Sequence, residues 1–235
     1  MASTLVLGCT GLTGSFILTN LLSNPSTGTV HTISRRAPKA PADPKLHAIV
    51  DTDTTTWATT HLPSLSPPPT TVISALGTTR AAAGGITNQW KIDHDLNVEL
   101  ARAAKAAGVK NFVFVSSAGT RGVLANRVPY SQMKQGVEDT VKELDFETAI
   151  ILRPGAILGK REESRPAEAV FQGLVRGIGK IVGVWAQDKI GQEAEVIARA
   201  AVHAARIAEE GKAPAKWWVL EQADIVRLGR DEWKA

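Results

Sequence analysis

A doubly wound α/β fold, a parallel sheet with helices on both faces and a small C-terminal lobe, is predicted for this chain by three observations. Short apolar runs recur along roughly the first two-thirds of the sequence, and near-continuous apolar runs suit strands buried on both faces. Helical patterns lie between most of these runs, the alternation that produces a parallel sheet. A glycine-spaced turn joins the first run to the first helix. A length of 235 residues with 43% hydrophobic content fits one domain over 1–235, with residues from about 155 contributing the lobe.

The strands are expected at Thr4–Leu7, Val30–Ser34, Leu46–Val50, 71–76, 111–116 and 148–153. The first leads directly into Gly8-Cys9-Thr10-Gly11-Leu12-Thr13-Gly14, after which Phe16, Ile17, Leu21 and Leu22 mark a helix. Between Val50 and Thr71, Trp57 is followed by Pro63 and Pro67-Pro68-Pro69, which leaves room for one short helix before an extended linker. The clearest helix spans about 87–107, where Ile92, Leu96, Leu100, Ala104 and Ala107 keep the helical period and Gly108 supplies a stop. A further helix starts near Pro129, with Met133, Val137, Val141 and Leu144 as its apolar stripe. Beyond Arg153 the pattern changes. Helices are expected at 167–176 and 193–209 and a short strand at Trp217–Leu220, with glycines at 173, 177, 179 and 183 between.

The order strand, glycine turn, helix is what a dinucleotide pyrophosphate requires, and it gives the sheet a Rossmann-like character. Glycines permit a tight turn and close backbone approach, and the helix N-terminus offers unpaired N–H groups and a partial positive charge. Gly8, Thr10, Gly11, Leu12, Thr13 and Gly14 are the candidate phosphate contacts, spaced G-x-x-G-x-x-G rather than G-x-G-x-x-G. Such folds choose their nucleotide about twenty residues later, where an acid holds the NAD ribose and an arginine accepts the NADP phosphate. Here the chain reads Ser34-Arg35-Arg36, with no Asp or Glu from Gly8 to Pro41. The expected cofactor is therefore NADP(H), since guanidinium groups suit phosphate; the competing reading is a solvated loop pair. Ala75, Leu76 and Gly77, with Thr78 and Arg80 beyond, should pass close to the same cofactor, although Arg80 equally fits a surface position.

Tyr130 is the only tyrosine, and Lys134 follows it by one helical turn. Residues four apart share a helix face. A phenol is too weak an acid for neutral-pH chemistry unless a cation sits within about 4–6 Å, and the lysine would supply that cation. A serine from a neighbouring strand would hold the reacting oxygen.

Composition narrows the remaining classes. The formal charge of +4 is spread along the chain without basic clusters interleaved with aromatics, so nucleic acid is not an expected partner. No apolar run approaches the ~20 residues of a membrane span, which leaves peripheral membrane association open. The single cysteine, Cys9, excludes an internal disulfide and fits a reducing, intracellular setting. The five histidines are scattered without metal-ligand spacing, so no metal site is expected. The first strand starts by Thr4, and a cleavable leader reaching into it would remove the cofactor turn.

Taken together, Gly8, Gly11, Gly14, the Val115-Ser116-Ser117 strand end, Tyr130, Lys134 and Arg153-Pro154-Gly155 resemble an atypical, extended-type short-chain dehydrogenase/reductase. The run Leu152-Arg153-Pro154-Gly155 followed by Arg161-Glu162-Glu163-Ser164-Arg165-Pro166 is similar to the Tat-interacting oxidoreductase-like group, including fungal members described as mitochondrial outer-membrane proteins. The resemblance implies roles. Ser117, rather than Ser116, becomes the catalytic serine, Tyr130 the proton donor and Lys134 the residue holding the nicotinamide ribose. Asn97 falls where such reductases place a relay asparagine, a position that also fits a solvent-facing residue. Asp51 matches the carboxylate that touches the adenine amino group, and Pro154 and Gly155 bring backbone groups to the nicotinamide carboxamide. The implied activity is NADP(H)-dependent reduction of a small carbonyl or activated double bond, and the implied site is peripheral on the mitochondrial outer membrane. Only twelve residues separate Ser117 from Tyr130, which leaves little room for a nucleotide-sugar substrate. The rival is an NADP(H)-binding regulatory or scaffold protein with little or no turnover.

Overall fold

The computed structural model describes residues 2–159 and 191–234; the expected 167–176 helix, its neighbouring glycines and the 161–166 run lie outside them. Seven parallel strands form one sheet: β1 (Thr4–Leu7), β2 (Val30–Ser34), β3 (Leu46–Val50), β4 (Thr71–Ser74), β5 (Asn111–Val115), β6 (Thr148–Leu152) and β9 (Trp217–Leu220). Their spatial order is β3-β2-β1-β4-β5-β6-β9. Two strands the sequence did not reveal, β7 (Ala156–Leu158) and β8 (Gly191–Glu193), pair in parallel as a separate small sheet.

Strand alternation explains how this sheet fills two cores. Leu5, Leu7, Val72, Phe112, Phe114 and Ile151 face one side, where they meet Leu100, Val137 and Val141. Val6, Ile73, Val113, Ile150 and Leu152 face the other and meet Ile17, Leu21, Ile197 and Ala201. The first side is covered by α4 (Asn97–Ala106) and α5 (Pro129–Glu143), the second by α1 (Leu12–Ser23) and α6 (Ala194–Glu209). This is a Rossmann-like doubly wound fold.

Two elements are more irregular than their sequence pattern. The expected 87–107 helix runs from α3 (Ile86–Trp90) to α4 but passes through a π-helical turn, Lys91–Leu96. Such turns add a residue to the register and recur at functional sites. The 51–69 segment holds a π turn (Trp57–His61) and a 3₁₀ turn (Leu62–Ser64) before extended chain, in keeping with one short helix. Strands β4, β5 and β6 stop one or two residues before the apolar runs do, at Ser74, Val115 and Leu152. The short helices α2 (Arg80–Ala83) and α7 (Gln222–Val226) carried too few residues to register as a period.

Candidate active site

The glycine turn sits at the carboxyl end of β1, where strand order reverses between β2 and β4, the usual crevice of an open α/β sheet. Gly8 has φ +80°, and a Cβ on it would lie 2.6 Å from the Ala75 carbonyl oxygen. On Gly14 a Cβ would lie 2.0 Å from the Gly8 oxygen, so α1 packs directly on the turn. Gly11 differs. Its φ of −85° suits any residue, it is exposed, and its Cβ would meet only the Gly8 oxygen at 3.3 Å. Of the three glycines it is the one that the packing of the turn requires least. No side chain caps α1 and its first turn has no acid, which leaves that end suited to an anion.

Arg35 and Arg36 are exposed at the end of β2. The Arg36 guanidinium reaches the turn, its Nη2 donating to the Thr10 carbonyl at 3.2 Å, while the Ser34 hydroxyl donates to the Arg36 carbonyl at 2.7 Å. Thr13 is buried, and Leu12 packs at the position of Gly159, the residue after β7. Burial pushes the Cys9 thiol up.

Asp51 follows β3, and its amide donates to the Ser34 carbonyl at 2.9 Å. Its carboxylate accepts from His61 Nε2 at 2.7 Å, Thr56 Oγ1 at 2.8 Å and the Asp53 amide at 2.9 Å. An adenine amino group would share this carboxylate with those partners. The His61 bond, followed by the Asp53 and Thr56 bonds, holds the Asp51 carboxyl down at about 2, against an ordinary 3.8. A depressed acid stabilises the fold above its unfolded value and stops doing so as pH falls through its folded value. The Asp51 contacts therefore weaken between about pH 4 and 2. His61→Ala should raise the Asp51 midpoint toward 3.8 in a carbon-detected NMR titration; an unmoved midpoint would mean that His61 is not the main cause.

Proline at the first position of α5 sets its start. Tyr130 is 38% exposed and Lys134, one turn later, only 5%. Lys134 Nζ donates to the Val115 carbonyl at 3.1 Å and lies 4.7 Å from the centre of the Phe114 ring. Facing it is Asp93, fully buried on the π turn, whose Oδ1 accepts from the Thr78 amide at 2.6 Å and Oδ2 from Gln89 Nε2 at 3.0 Å. Burial pushes the Asp93 carboxyl up, and the Lys134 charge is the main opposing influence. A Cβ on Gly77 would lie 3.3 Å from Asp93 Oδ1 and 3.8 Å from Lys134 Nζ, so this exposed loop crosses the pair. Sequence reasoning missed Asp93. The available signal was its position four residues before Asn97 and seven before Leu100, on the buried face of the helix.

Asn97 does not face solvent. It is 1% exposed, accepts from the Ser74 hydroxyl at 2.8 Å and donates to the Ile92 carbonyl at 3.0 Å, which fastens the π turn to the end of β4. Arg80 is an exposed first residue of α2.

Of the two serines after β5, Ser116 is buried and donates to Glu138 Oε1 at 2.5 Å. Ser117 is half-buried and has only a long 3.5 Å contact to its neighbour's carbonyl, which leaves its hydroxyl available. Across from it, after β6, the Pro154 carbonyl accepts from the Ala118 amide at 2.7 Å and the Gly155 amide donates to Gln192 Oε1 at 2.8 Å. The backbone groups expected to meet a carboxamide thus already have partners within the chain.

A second missed group lies behind these walls. Glu138, fully buried on α5, accepts from Arg153 Nη2 at 2.8 Å and Arg121 Nε at 3.2 Å on one oxygen. Its other oxygen takes Ser116 and, at 3.3 Å, Arg153 Nε. Arg153 also donates to Glu221 at 3.1 Å, and Arg121 pairs with Asp139. These carboxylates hold both guanidinium groups firmly protonated.

The turn, Gly77, Lys134, Tyr130 and Ser117 thus lie at the carboxyl ends of adjacent strands or on the helix behind them. Among the described residues no cluster of His, Cys, Asp or Glu could hold a metal ion, and no helix is long and apolar enough to cross a membrane.

The chain is 66% identical to a Neurospora crassa protein named "Protein fmp-52, mitochondrial", over 99% of this chain and 97% of that one. It is 62% identical to "Protein FMP52, mitochondrial" of Chaetomium globosum, over the full length of both. Among solved structures it resembles a UDP-N-acetylglucosamine 4-epimerase from Methanobrevibacter ruminantium (TM-score 0.69, 17% identity, 94% of this chain and 76% of that one). It also resembles the Bordetella bronchiseptica enzyme WbmF in complex with NAD+ (TM-score 0.66, 17% identity, 94% and 72%); likeness at this identity speaks for the fold alone. The profile of the NAD dependent epimerase/dehydratase family matches residues 4–187, and with that match and the fungal relatives the chain belongs to this family.

Proposed function

We propose that this chain is an NADP(H)-dependent oxidoreductase that reduces a small carbonyl or activated double bond, with Tyr130 as proton donor. The observation that carries the reading is Gly11, an exposed glycine before α1 that the chain's own packing requires least of the three, at the same carboxyl end of the sheet that the Tyr130–Lys134 pair would serve. The nicotinamide cofactor supplies hydride when bound. Leu12 and Thr13 offer helix-end amides to its pyrophosphate, and Arg35 with Arg36 receives the 2′-phosphate that separates NADP from NAD. Ser117 donates a hydrogen bond to the substrate oxygen as charge develops, and Tyr130 delivers the proton. Lys134, held by the Val115 carbonyl and by Asp93, orients the ribose. Single-domain organisation over 1–235, with a lobe from about 155 closing over the substrate, belongs to the same reading. The relatives' names favour a mitochondrial location, and a peripheral position on the outer membrane is part of the same proposal.

One observation favours the regulatory or scaffold alternative: the hydrogen bond made by the Lys134 ammonium goes to Val115, and its nearest buried charge is Asp93. Cofactor titration is the first test of the whole reading. NADPH should bind more tightly than NADH, and Arg35→Ala should remove most of the preference, a charge-assisted contact of roughly 1.5–3 kcal/mol. Equal affinities of the unmodified protein for both cofactors would overturn the NADP(H) assignment. Tight NADPH binding without turnover across a broad carbonyl screen would favour the regulatory alternative.

A further inference from the structure

We propose that Glu138 is a clamp that sets the width of the substrate cleft, a positioning residue that fixes the Ser117 and Pro154–Gly155 walls relative to one another. It rests on the oxidoreductase reading in one respect, that those walls flank the substrate. The geometry is independent of it. Tyr130, Lys134 and Glu138 are spaced four residues apart on α5, so the candidate proton donor and the clamp share one rigid helix. From that helix the Glu138 carboxylate reaches two strand ends. It takes the hydroxyl of Ser116, the residue before Ser117, at 2.5 Å, and two nitrogens of Arg153, the residue before Pro154, at 2.8 and 3.3 Å. Arg121, beyond Ser117 in the same loop, adds a third tether at 3.2 Å.

Backbone bonds complete the same junction, from the Ser116 amide to the Leu152 carbonyl at 2.8 Å and from the Ala118 amide to Pro154 at 2.7 Å. Arg153 is tied onward to Glu221 at the end of β9. A carboxylate with no solvent exposure and four donors on two oxygens is over-determined for packing alone. An apolar side chain could fill the same volume, but it could not hold two guanidinium groups and a hydroxyl in fixed directions.

Glu138→Gln keeps the shape but turns an NH₂ group toward donors that already point at it, so the clamp should loosen without emptying the core. Two measurements test this on the full-length protein. Amide hydrogen exchange should accelerate at 116–120 and 153–156 while the 8–14 turn keeps its protection; uniform acceleration, or none, would overturn the clamp. With a turned-over substrate, kcat should fall about 10- to 100-fold with the NADPH dissociation constant unchanged. In a Ser117→Ala background the same substitution should cost less than about threefold, because its effect is transmitted through Ser117. An equal factor in both backgrounds would refute positioning of Ser117 even if exchange is localised. If the unmodified protein turns over no carbonyl compound, the oxidoreductase reading fails while exchange still decides the clamp.

Discussion

Tyr130→Phe is expected to lower turnover by about 10²–10⁴-fold, the usual contribution of a general acid, while leaving NADPH affinity within about twofold of the unmodified protein. The ring stays and only the hydroxyl goes. Because Tyr130 is 38% exposed, its hydroxyl carries little of the fold, and the melting temperature should hardly move. Lys134→Ala should do more damage. It removes the proposed ribose contact, the ammonium lying over the Phe114 ring and the charge facing Asp93. Asp93 stays buried without its main opposing influence, so its carboxyl is pushed up further. Both turnover and cofactor affinity should fall. Single-turnover kinetics and fluorescence titration of NADPH separate the two effects; Tyr130→Phe with full turnover would remove the proposed proton donor.

Gly14→Ala and Gly11→Val should part company. A methyl at residue 14 would lie 2.0 Å from the Gly8 oxygen and 2.6 Å from its carbonyl carbon, both backbone atoms that cannot step aside. Overpacking of this kind costs about 1–3 kcal/mol or more, a large share of the ~5–15 kcal/mol that holds a domain together. Thermal unfolding should show a fall of several degrees or loss of the folded protein. Gly11→Val keeps a backbone of φ −85° that any residue accepts, with a single 3.3 Å contact to relieve, so it should stay folded and lose dinucleotide binding. A folded Gly11→Val protein with unchanged NADPH affinity would place the cofactor elsewhere.

The difference between those two glycines was invisible in the sequence, where three equally spaced glycines look alike. Only the packing of α1 on Gly8 separates the glycine that the turn requires from the one proposed to serve a ligand. Strands were readable because short apolar runs are a local signal: β1 and β2, buried throughout, and the more exposed edge strands β3 and β9 carry the expected bounds. The placement of Tyr130 and Lys134 one turn apart on α5, and of Ser117 just past β5, was readable because helix spacing and a strand end are local features. Asp93 and Glu138 were missed because helix spacing offers at most a buried position, while the partners that mark each are distant in sequence: Thr78 and Lys134 for one, Ser116 and Arg153 for the other. The π turn hid Asp93 further, by adding a residue to the helical count. β7 and β8 were hidden by their brevity, three residues each.

The position of β9 has a consequence for synthesis. Among the described residues β9 pairs with β6 alone, and it arrives only after the long return through α6. Until residues 217–220 emerge from the ribosome, Ile150, Ile151 and Leu152, fully covered in the finished protein, lie along an edge strand with unpaired N–H and C=O groups. Such an edge recruits other strands, and late parallel pairing leaves it exposed while the chain grows. Nascent chains halted before Lys216 should therefore aggregate or engage chaperones. Addition of residues 217–220 covers the fully buried β6 and moves the edge to β9, a strand of four residues.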